Sequence, residues 1–344
     1  MSCRLSSRRS FLLVTVGALT EASFAGTEPV QHRVSIALAA RQSLYHLPLT
    51  LADQLGFFRQ SGLVIDWVSH EAGAKAMASA MHGQADVVAG AFEHLFGLHQ
   101  KGLNYQGFVQ VGRTPQLALG VSTRLGTAMR SVMDLKGARV GISALDSGTH
   151  WMACQWLLHH GLSPEDVLFV EVGTSFGAMD ALRSGSIDAL CNPDPVMYWL
   201  EQKNEIRILG DTRSMMATRK LMSGDVPGAC LLARTEFLQR QPAVAQALCD
   251  GVIHALKWLQ TAGSTDILKT VPSHHWMGDR ATYLGAFEKL RESYATDGLI
   301  SVDSVFNAAR AYSRLSSQAP ITRSMLERMY TNSFAGKSKA RFAA

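Results

Sequence analysis

The chain has 344 residues, a net charge of +5, 47% hydrophobic and 18% charged residues. This is a globular composition, too long for one ordinary core and long enough for two α/β lobes. The Lys and Arg residues are scattered rather than gathered into a stripe with interleaved aromatics, which sets nucleic-acid binding aside, and no window beyond the N-terminus reaches 18 consecutive apolar residues.

The first segment reads as an export signal. Arg8-Arg9 precedes an apolar stretch from Phe11 to Leu19, and Ser23-Phe24-Ala25 offers small residues at both positions that a signal peptidase requires. Cleavage is expected after Ala25, so that residues 1–25 are a signal peptide and the mature chain is soluble and periplasmic. The paired arginines resemble a twin-arginine signal, with general secretion as the alternative. No Cys follows the apolar stretch, so no lipid anchor is expected.

Arg33 to Leu38 reads as a first strand, and the polar loop from Ala40 to Leu47 leads into a helix opened by Pro48 with Leu51, Ala52, Leu55 and Phe58 on its buried face. A second strand follows at Leu63 to Val68. Gly73-Ala74-Lys75-Ala76-Met77 then begins a short amphipathic helix that stops at Gly83, a residue suited to the left-handed position after a helix, and Asp86 opens an apolar strand that runs into Phe92-Glu93-His94. A helix to Gln100 and a strand at Tyr105 to Val111 complete this half.

The pattern then recurs. Ser175 to Asn192 echoes Gly73 to Gly90 at an offset of 102 residues, with Gly185 and Asp188 standing where Gly83 and Asp86 stood, and the strand ends at Asn192-Pro193-Asp194-Pro195. Upstream, Val140-Gly141-Ile142-Ser143 matches Val34-Ser35-Ile36-Ala37 at an offset of 106 and leads through Ser147-Gly148-Thr149-His150 into a helix for which Thr149 is the expected N-cap. Strands alternating with helices at this spacing predict two lobes, each a mainly parallel sheet flanked by helices. The strands Leu117 to Val121 and Gly228 to Ala233 bracket the second unit and are expected to be the two crossovers. Residues 33–116 and 231–330 would form one lobe with C-terminal helices, residues 117–230 the other, and 335–344 a disordered tail.

Cys154, Cys191, Cys230 and Cys249 lie in apolar stretches and form no CxxC, so they read as small buried hydrophobes, although three pairings are formally open.

In open α/β sheets, ligands sit beyond the C-terminal ends of the strands. That rule selects Ser43, Tyr45 and His46; Phe92, Glu93 and His94; Ser147, Thr149 and His150; Asn192 and Asp194; and Lys75 as a counter-charge for an anion. Ser147 to His150 offers free amides at a helix N-terminus to an oxyanion or carbonyl. Tyr45 and Phe92 would supply aromatic walls, and Glu93, His94 and Asp194 would accept from ring nitrogens or amines.

Gly173-Thr174-Ser175-Phe176-Gly177 matches GxSxG between a strand and a helix, so a serine hydrolase using Ser175, with Asp225 or Asp250 and then His254 or His274, is the competing expectation; the HGGG-type oxyanion motif is missing. His159-His160 and His274-His275 lack the spacing that converges on an ion, and neither a Walker loop nor GxGxxG occurs. Neither metal nor cofactor is expected.

Together, Gly73-Ala74-Lys75-Ala76-Met77 leading to Gly83-Gln84-Ala85-Asp86, then Phe92-Glu93-His94, Asp134-Leu135-Lys136-Gly137, Gly185-Ser186-Ile187-Asp188 and Asn192-Pro193-Asp194-Pro195 resemble the nitrate, sulfonate, taurine and thiamine-precursor class of ABC-transporter substrate-binding proteins, over residues 33 to about 260. The resemblance implies a periplasmic-binding-protein fold of type II and a non-enzymatic, monomeric receptor that closes by a hinge on a small organic anion or a pyrimidine-like heterocycle and passes it to a membrane permease. The class also includes a pyrimidine synthase that uses pyridoxal phosphate, for which Lys75 would be the aldehyde-binding residue; its cysteine-rich motif is absent here.

Overall fold

The computed structural model describes residues 31–126, 128–315 and 321–342; the expected signal peptide lies outside them. The first half runs β1 (His32–Ala39), α1 (Leu47–Gln54), α2 (Phe57–Gln60), β2 (Leu63–His70), α3 (Gly73–Met81), β3 (Val87–Ala91), α4 (His94–Gln100) and β4 (Tyr105–Gln110). The second runs β5 (Leu117–Ser122), β6 (Arg139–Ile142), α5 (Gly148–His159), β7 (Leu168–Glu171), α6 (Phe176–Ser184), β8 (Ala189–Pro193), α7 (Val196–Gln202), β9 (Ile206–Asp211) and α8 (Met215–Met222). β10 (Ala229–Arg234) returns to the first sheet, and α9 (Thr235–Arg240), α10 (Pro242–Thr261), α11 (Ser264–Thr270), α12 (Arg280–Leu290), α13 (Val302–Ser313), α14 (Arg323–Arg328) and α15 (Ser333–Phe342) follow.

Two five-stranded sheets result, ordered β2-β1-β3-β10-β4 and β7-β6-β8-β5-β9. In each, the fourth strand is antiparallel to both neighbours while the other recorded pairings are parallel. The two strands expected as crossovers are therefore β5 and β10, each a member of a sheet. The passage between lobes falls just before them, where the Gly228 amide donates to the Gly112 carbonyl (2.9 Å) and the Gly112 amide to the Ala229 carbonyl (3.0 Å). A Cβ on Gly228 would lie 1.9 Å from the Thr114 carbonyl oxygen, so the segments cross too closely for any side chain there.

The internal echo is structural. Asp86 accepts from the Ser35 amide (2.8 Å) and hydroxyl (2.6 Å), and Asp188 accepts from the Arg139 amide (2.9 Å) while pairing with its guanidinium (2.7 Å). In both lobes the aspartate thus ties the start of the repeated strand to the first strand. Gly83 and Gly185 stop the preceding helices at φ 75° and 78°, where a side chain would be strained. Ile36 pairs with Val87 and Val140 with Ala189, so the first strands correspond at an offset of 104, two less than the sequence match suggests. A slip of two residues keeps every side chain on its original face, and the hydrophobic pattern cannot distinguish the two alignments.

Alternation along the strands divides the core. Val34, Ile36, Leu38, Val87, Ala89, Leu231 and Ala233 pack beneath α1, α10 and α12. Val88, Leu232, Leu117, Leu119, Val140, Ile142 and Trp156 belong to a second cluster that is continuous from one sheet to the other. α13 crosses between lobes: the Gln155 side chain of α5 donates to the Ala311 carbonyl (2.8 Å), and Asn307 donates to the Asp225 carbonyl (3.0 Å). The four described cysteines are buried free thiols. Among the described residues, no helix is long and apolar enough to cross a membrane.

The tail departs from expectation. Residues 333–342 form α15 on α10, where Ser338 donates to Asp250 (2.6 Å), Arg341 pairs with the same carboxylate (2.7 Å), and Phe342 stacks on His254, itself stacked on Phe57 at 3.8 Å. Composition misses this because the anchoring carboxylate belongs to a segment some 90 residues earlier. Removing residues 334–344 should leave Asp250, 5% exposed, without hydroxyl or cation, and lower stability by about 1–3 kcal/mol or more, as read from the urea midpoint.

Candidate ligand-binding site

Both sheets present the C-terminal ends of their parallel strands to one cavity, lined by Ser43, Tyr45, His46, Gly73, Glu93 and His94 from the first lobe and by Ser143, Ser147, Gly148, Thr149, Thr174 and Pro193 from the second, with Pro115 and Leu117 at the crossing. The lobes touch around it. The Ala74 amide donates to the Ser147 hydroxyl (3.1 Å), the Thr174 hydroxyl to the Glu71 carbonyl (3.1 Å), and the Leu44 amide and Ser43 hydroxyl to the Asp194 carbonyl (3.0 and 3.1 Å). This is a closed arrangement, with the starts of α3 and α5 facing the same space. Their first amides have no carbonyl partner one turn back and carry the positive end of the helix dipole.

The titratable groups here are shaped by burial. Burial pushes the Glu93 carboxyl up to about 7, and it reaches across the cleft until its Oε1 lies 2.8 Å from where a Cβ on Gly148 would stand. Only glycine permits that approach. Burial lowers His94 to about 4 and His46 to about 3, the latter with a smaller contribution from Arg41, so both rings are neutral at physiological pH. Among the described residues, His94 Nε2 and His46 Nδ1 are buried without a hydrogen-bond partner.

Of the twelve residues selected from sequence, seven line this cavity: Ser43, Tyr45, His46, Glu93, His94, Ser147 and Thr149. The other five lie elsewhere. Lys75 turns outward and pairs with Glu71 at 3.0 Å, because the helix buries Ala76 and Met77 instead. Phe92 is fully buried and packs edge-on against Phe96, leaving Glu93 to face the cleft. His150 accepts from the Asp146 amide (3.1 Å) and lines an outer groove that shares Glu93 and His94 with the inner cavity. Asn192 donates to the Gly173 carbonyl (2.9 Å). Asp194 is wholly buried against Arg213 (3.2 Å) and accepts from the Tyr198 amide (2.8 Å), so its carboxylate serves the fold; its backbone carbonyl anchors Ser43 and Leu44.

Thr149 does not cap its helix. Ser147 is the N-cap, and Thr149 accepts from the Ser143 amide (2.9 Å), which pins the loop between β6 and α5. Sequence reasoning missed Gly73, Ser143, Thr174 and the buried cation Arg213, and it valued Gly148 for its amide and not for the space it leaves. Thr174 carried a signal, since it belongs to the GTSFG match, but that match was assigned to hydrolysis. The acids and bases proposed for Ser175 are engaged elsewhere: Asp225 with Arg219, Asp250 with Ser338 and Arg341, His254 between Phe57 and Phe342, and His274 edge-on to His275. Among the described residues, no Lys or Arg lines the inner cavity, and Lys75 is paired with Glu71 outside it.

Two α/β lobes that meet across a cleft at paired helix N-termini define the class of periplasmic-binding-protein folds. The chain belongs to the NMT1/THI5-like family, whose model matches residues 43–262. A solved structure from Bordetella bronchiseptica RB50 is 36% identical, with 91% of this chain and 98% of that one covered and a TM-score of 0.88. The alkanesulfonate-binding protein SsuA from Xanthomonas axonopodis pv. citri, bound to MOPS, shares the fold at 19% identity and a TM-score of 0.69, covering 89% and 99% of the two chains. The periplasmic nitrate-binding protein NrtA from Synechocystis PCC 6803 shares it at 9% identity and a TM-score of 0.75, covering 91% and 89%. No protein of curated function matches the chain.

Proposed function

We propose that this protein is the solute-binding component of an ABC importer, exported to the periplasm by residues 1–25, acting as a monomer without catalysis, and delivering a small organic anion or heterocycle to a membrane permease. The observation that carries the reading is the cavity itself, bounded by Tyr45, Glu93 and His94 on one side and by Ser147, Gly148 and Thr149 on the other. A solute there touches both lobes, so its binding energy goes to the closed state and shifts the hinge equilibrium toward it. Residues 33–116 with 231–330 would move against 117–230 about the crossing at Gly112 and Gly228. With no cationic side chain among the described lining residues, an anionic group is held by the amides at the start of α5 and by those of α3 that Ser147 does not occupy, which suits one modest charge on an otherwise neutral body.

The family membership and the folds of sulfonate- and nitrate-binding proteins support the same role. Melting temperature should rise with one member of a panel of nitrate, bicarbonate, alkanesulfonates, pyrimidines and aromatic carboxylates, by an increment that grows with the logarithm of concentration above Kd. A flat response to the whole panel, with ester hydrolysis abolished in Ser175→Ala, would overturn it.

A further inference from the structure

We propose that α13 is a strap that holds the two lobes together when no solute is bound, so that the empty receptor rests in the closed arrangement and opens only by releasing this helix. This rests on the receptor reading above and names what sets the balance between its open and closed states. Adjacent residues of the helix grip opposite lobes. The Ala311 carbonyl accepts from Gln155 of α5 in the second lobe (2.8 Å), while the Tyr312 hydroxyl donates to Gln100 of α4 in the first (3.0 Å) and its ring packs on Phe96 at 5.0 Å.

The helix is built for this place. Val305, Ala308, Ala309 and Tyr312 recur at the spacing of one helical face, and the first three are buried in the cluster that also holds Phe96 of α4 and Trp156 of α5. Gln155 is itself only 3% exposed. A rotation that parts α5 from α13 therefore exposes apolar surface on both and gives up a buried hydrogen bond with it. One turn earlier, Asn307 donates to the Asp225 carbonyl (3.0 Å) and lies so close to Gly224 that no side chain fits there. Asp225 stands just before the return crossing at Gly228, so the helix is anchored beside the hinge and takes its second grip about 6 Å farther along.

Other ties between the lobes resist opening less. The Ser293 hydroxyl donates to the Arg213 carbonyl (2.7 Å), but the Ser293 carbonyl accepts from the Arg113 amide (2.8 Å), which puts this tie at the crossing, where a rotation displaces atoms least. Lys289 of α12 pairs with Glu201 of α7 (3.0 Å), yet the two side chains are 32% and 31% exposed, and such a pair holds little. At the cleft, the bonds from the Ala74 amide to Ser147 and from Thr174 to the Glu71 carbonyl are single polar contacts that water replaces when the lobes part. α13 couples its polar bonds to buried apolar contact with both lobes, and that combination water does not replace.

The test needs no solute. Spin labels on Gln84→Cys in the first lobe and Ser186→Cys in the second, both exposed positions, read the distance between lobes by double electron–electron resonance, and the four described native thiols are buried. The expected result in the empty, otherwise wild-type protein is one narrow distance at the separation of the closed structure. Arg314→Ala, exposed just past the end of the helix, should leave it unchanged, whereas Gln155→Leu with Tyr312→Ala should add a second, distinct distance while circular dichroism stays that of the folded chain. If that double variant does not fold, Gln155→Asn, whose amide is one methylene short of the Ala311 carbonyl, replaces it and should show the second distance as a smaller fraction. A broad or two-peaked distribution in the empty wild type, or an unchanged narrow distance in the folded strap variant, overturns the proposal and leaves the receptor reading standing. A melting temperature flat across the solute panel would instead remove the receptor reading, while a narrow wild-type distance that the strap variant loses would still establish the strap.

Discussion

Arg213→Met is expected to destabilise the protein by about 3–5 kcal/mol, the range for removing one partner of a buried ion pair. Arg213 is 1% exposed and Asp194 is fully buried, and the same guanidinium also pairs with Asp211 (2.8 Å) and Glu201 (3.1 Å). Burial alone would lower the pKa of Arg213, but Asp194, Asp211 and Glu201 more than reverse this and raise it. Without the guanidinium, the Asp194 carboxylate keeps only the Tyr198 amide among these partners, and burial pushes its pKa further up. The substitution reaches the site as well, because the Asp194 carbonyl anchors Ser43 and Leu44, and these set the turn that carries Tyr45 and His46. Urea unfolding should show the loss as a lower midpoint at unchanged slope, and the double variant Asp194→Asn with Arg213→Met should recover part of it, since the wholly buried carboxylate is then no longer left unpaired. Equal stability of the wild type and Arg213→Met would contradict this account of the network.

Glu93→Gln should remove a pH dependence from the wild-type protein. The unfolded chain releases this proton near the ordinary glutamate value of 4.5 and the folded chain near 7, so between those values the folded state holds more protons. Stability contributed by this group is present below about pH 4.5 and is lost as pH rises through 7. Allowing for partial solvent access, the loss is about 2–3 kcal/mol, and it is absent in Glu93→Gln. His46 and His94, held neutral by burial, act in the opposite sense below pH 6.5, and the difference between the two proteins isolates Glu93 from them. Chemical denaturation at pH 5 and pH 8.5 measures it. A constant difference between wild type and Glu93→Gln across that interval would show that Glu93 titrates as a solvated carboxylate.

The two-lobe architecture was legible because it is written twice, as a helix, a glycine stop, an aspartate and an apolar strand. The physical link made by each aspartate, to Ser35 in one lobe and Arg139 in the other, lies between residues about 50 positions apart, and sequence gave the pattern without the partner. The site was legible to the extent that strand ends define loops. It failed where a neighbouring residue faced the cleft instead, as with Phe92 beside Glu93, and where a lobe contact claimed the side chain, as with Asp194 and Arg213. Gly73 was invisible, and Gly148 was legible only as an exposed amide, because the space that they leave for His94 and Glu93 emerges only in the folded chain. The tail was misread for the same reason as the aspartates: its partner Asp250 is remote in the chain.

The central claim is that one small molecule is gripped by strand-end loops from both sheets. A crystal structure of the protein with the solute that most raises its melting temperature tests this directly. The account predicts density for that solute in the inner cavity, against Tyr45, His46 and Glu93 on one side and Ser147 to Thr149 on the other. Density on the outer surface, or contacts confined to a single sheet, would contradict it.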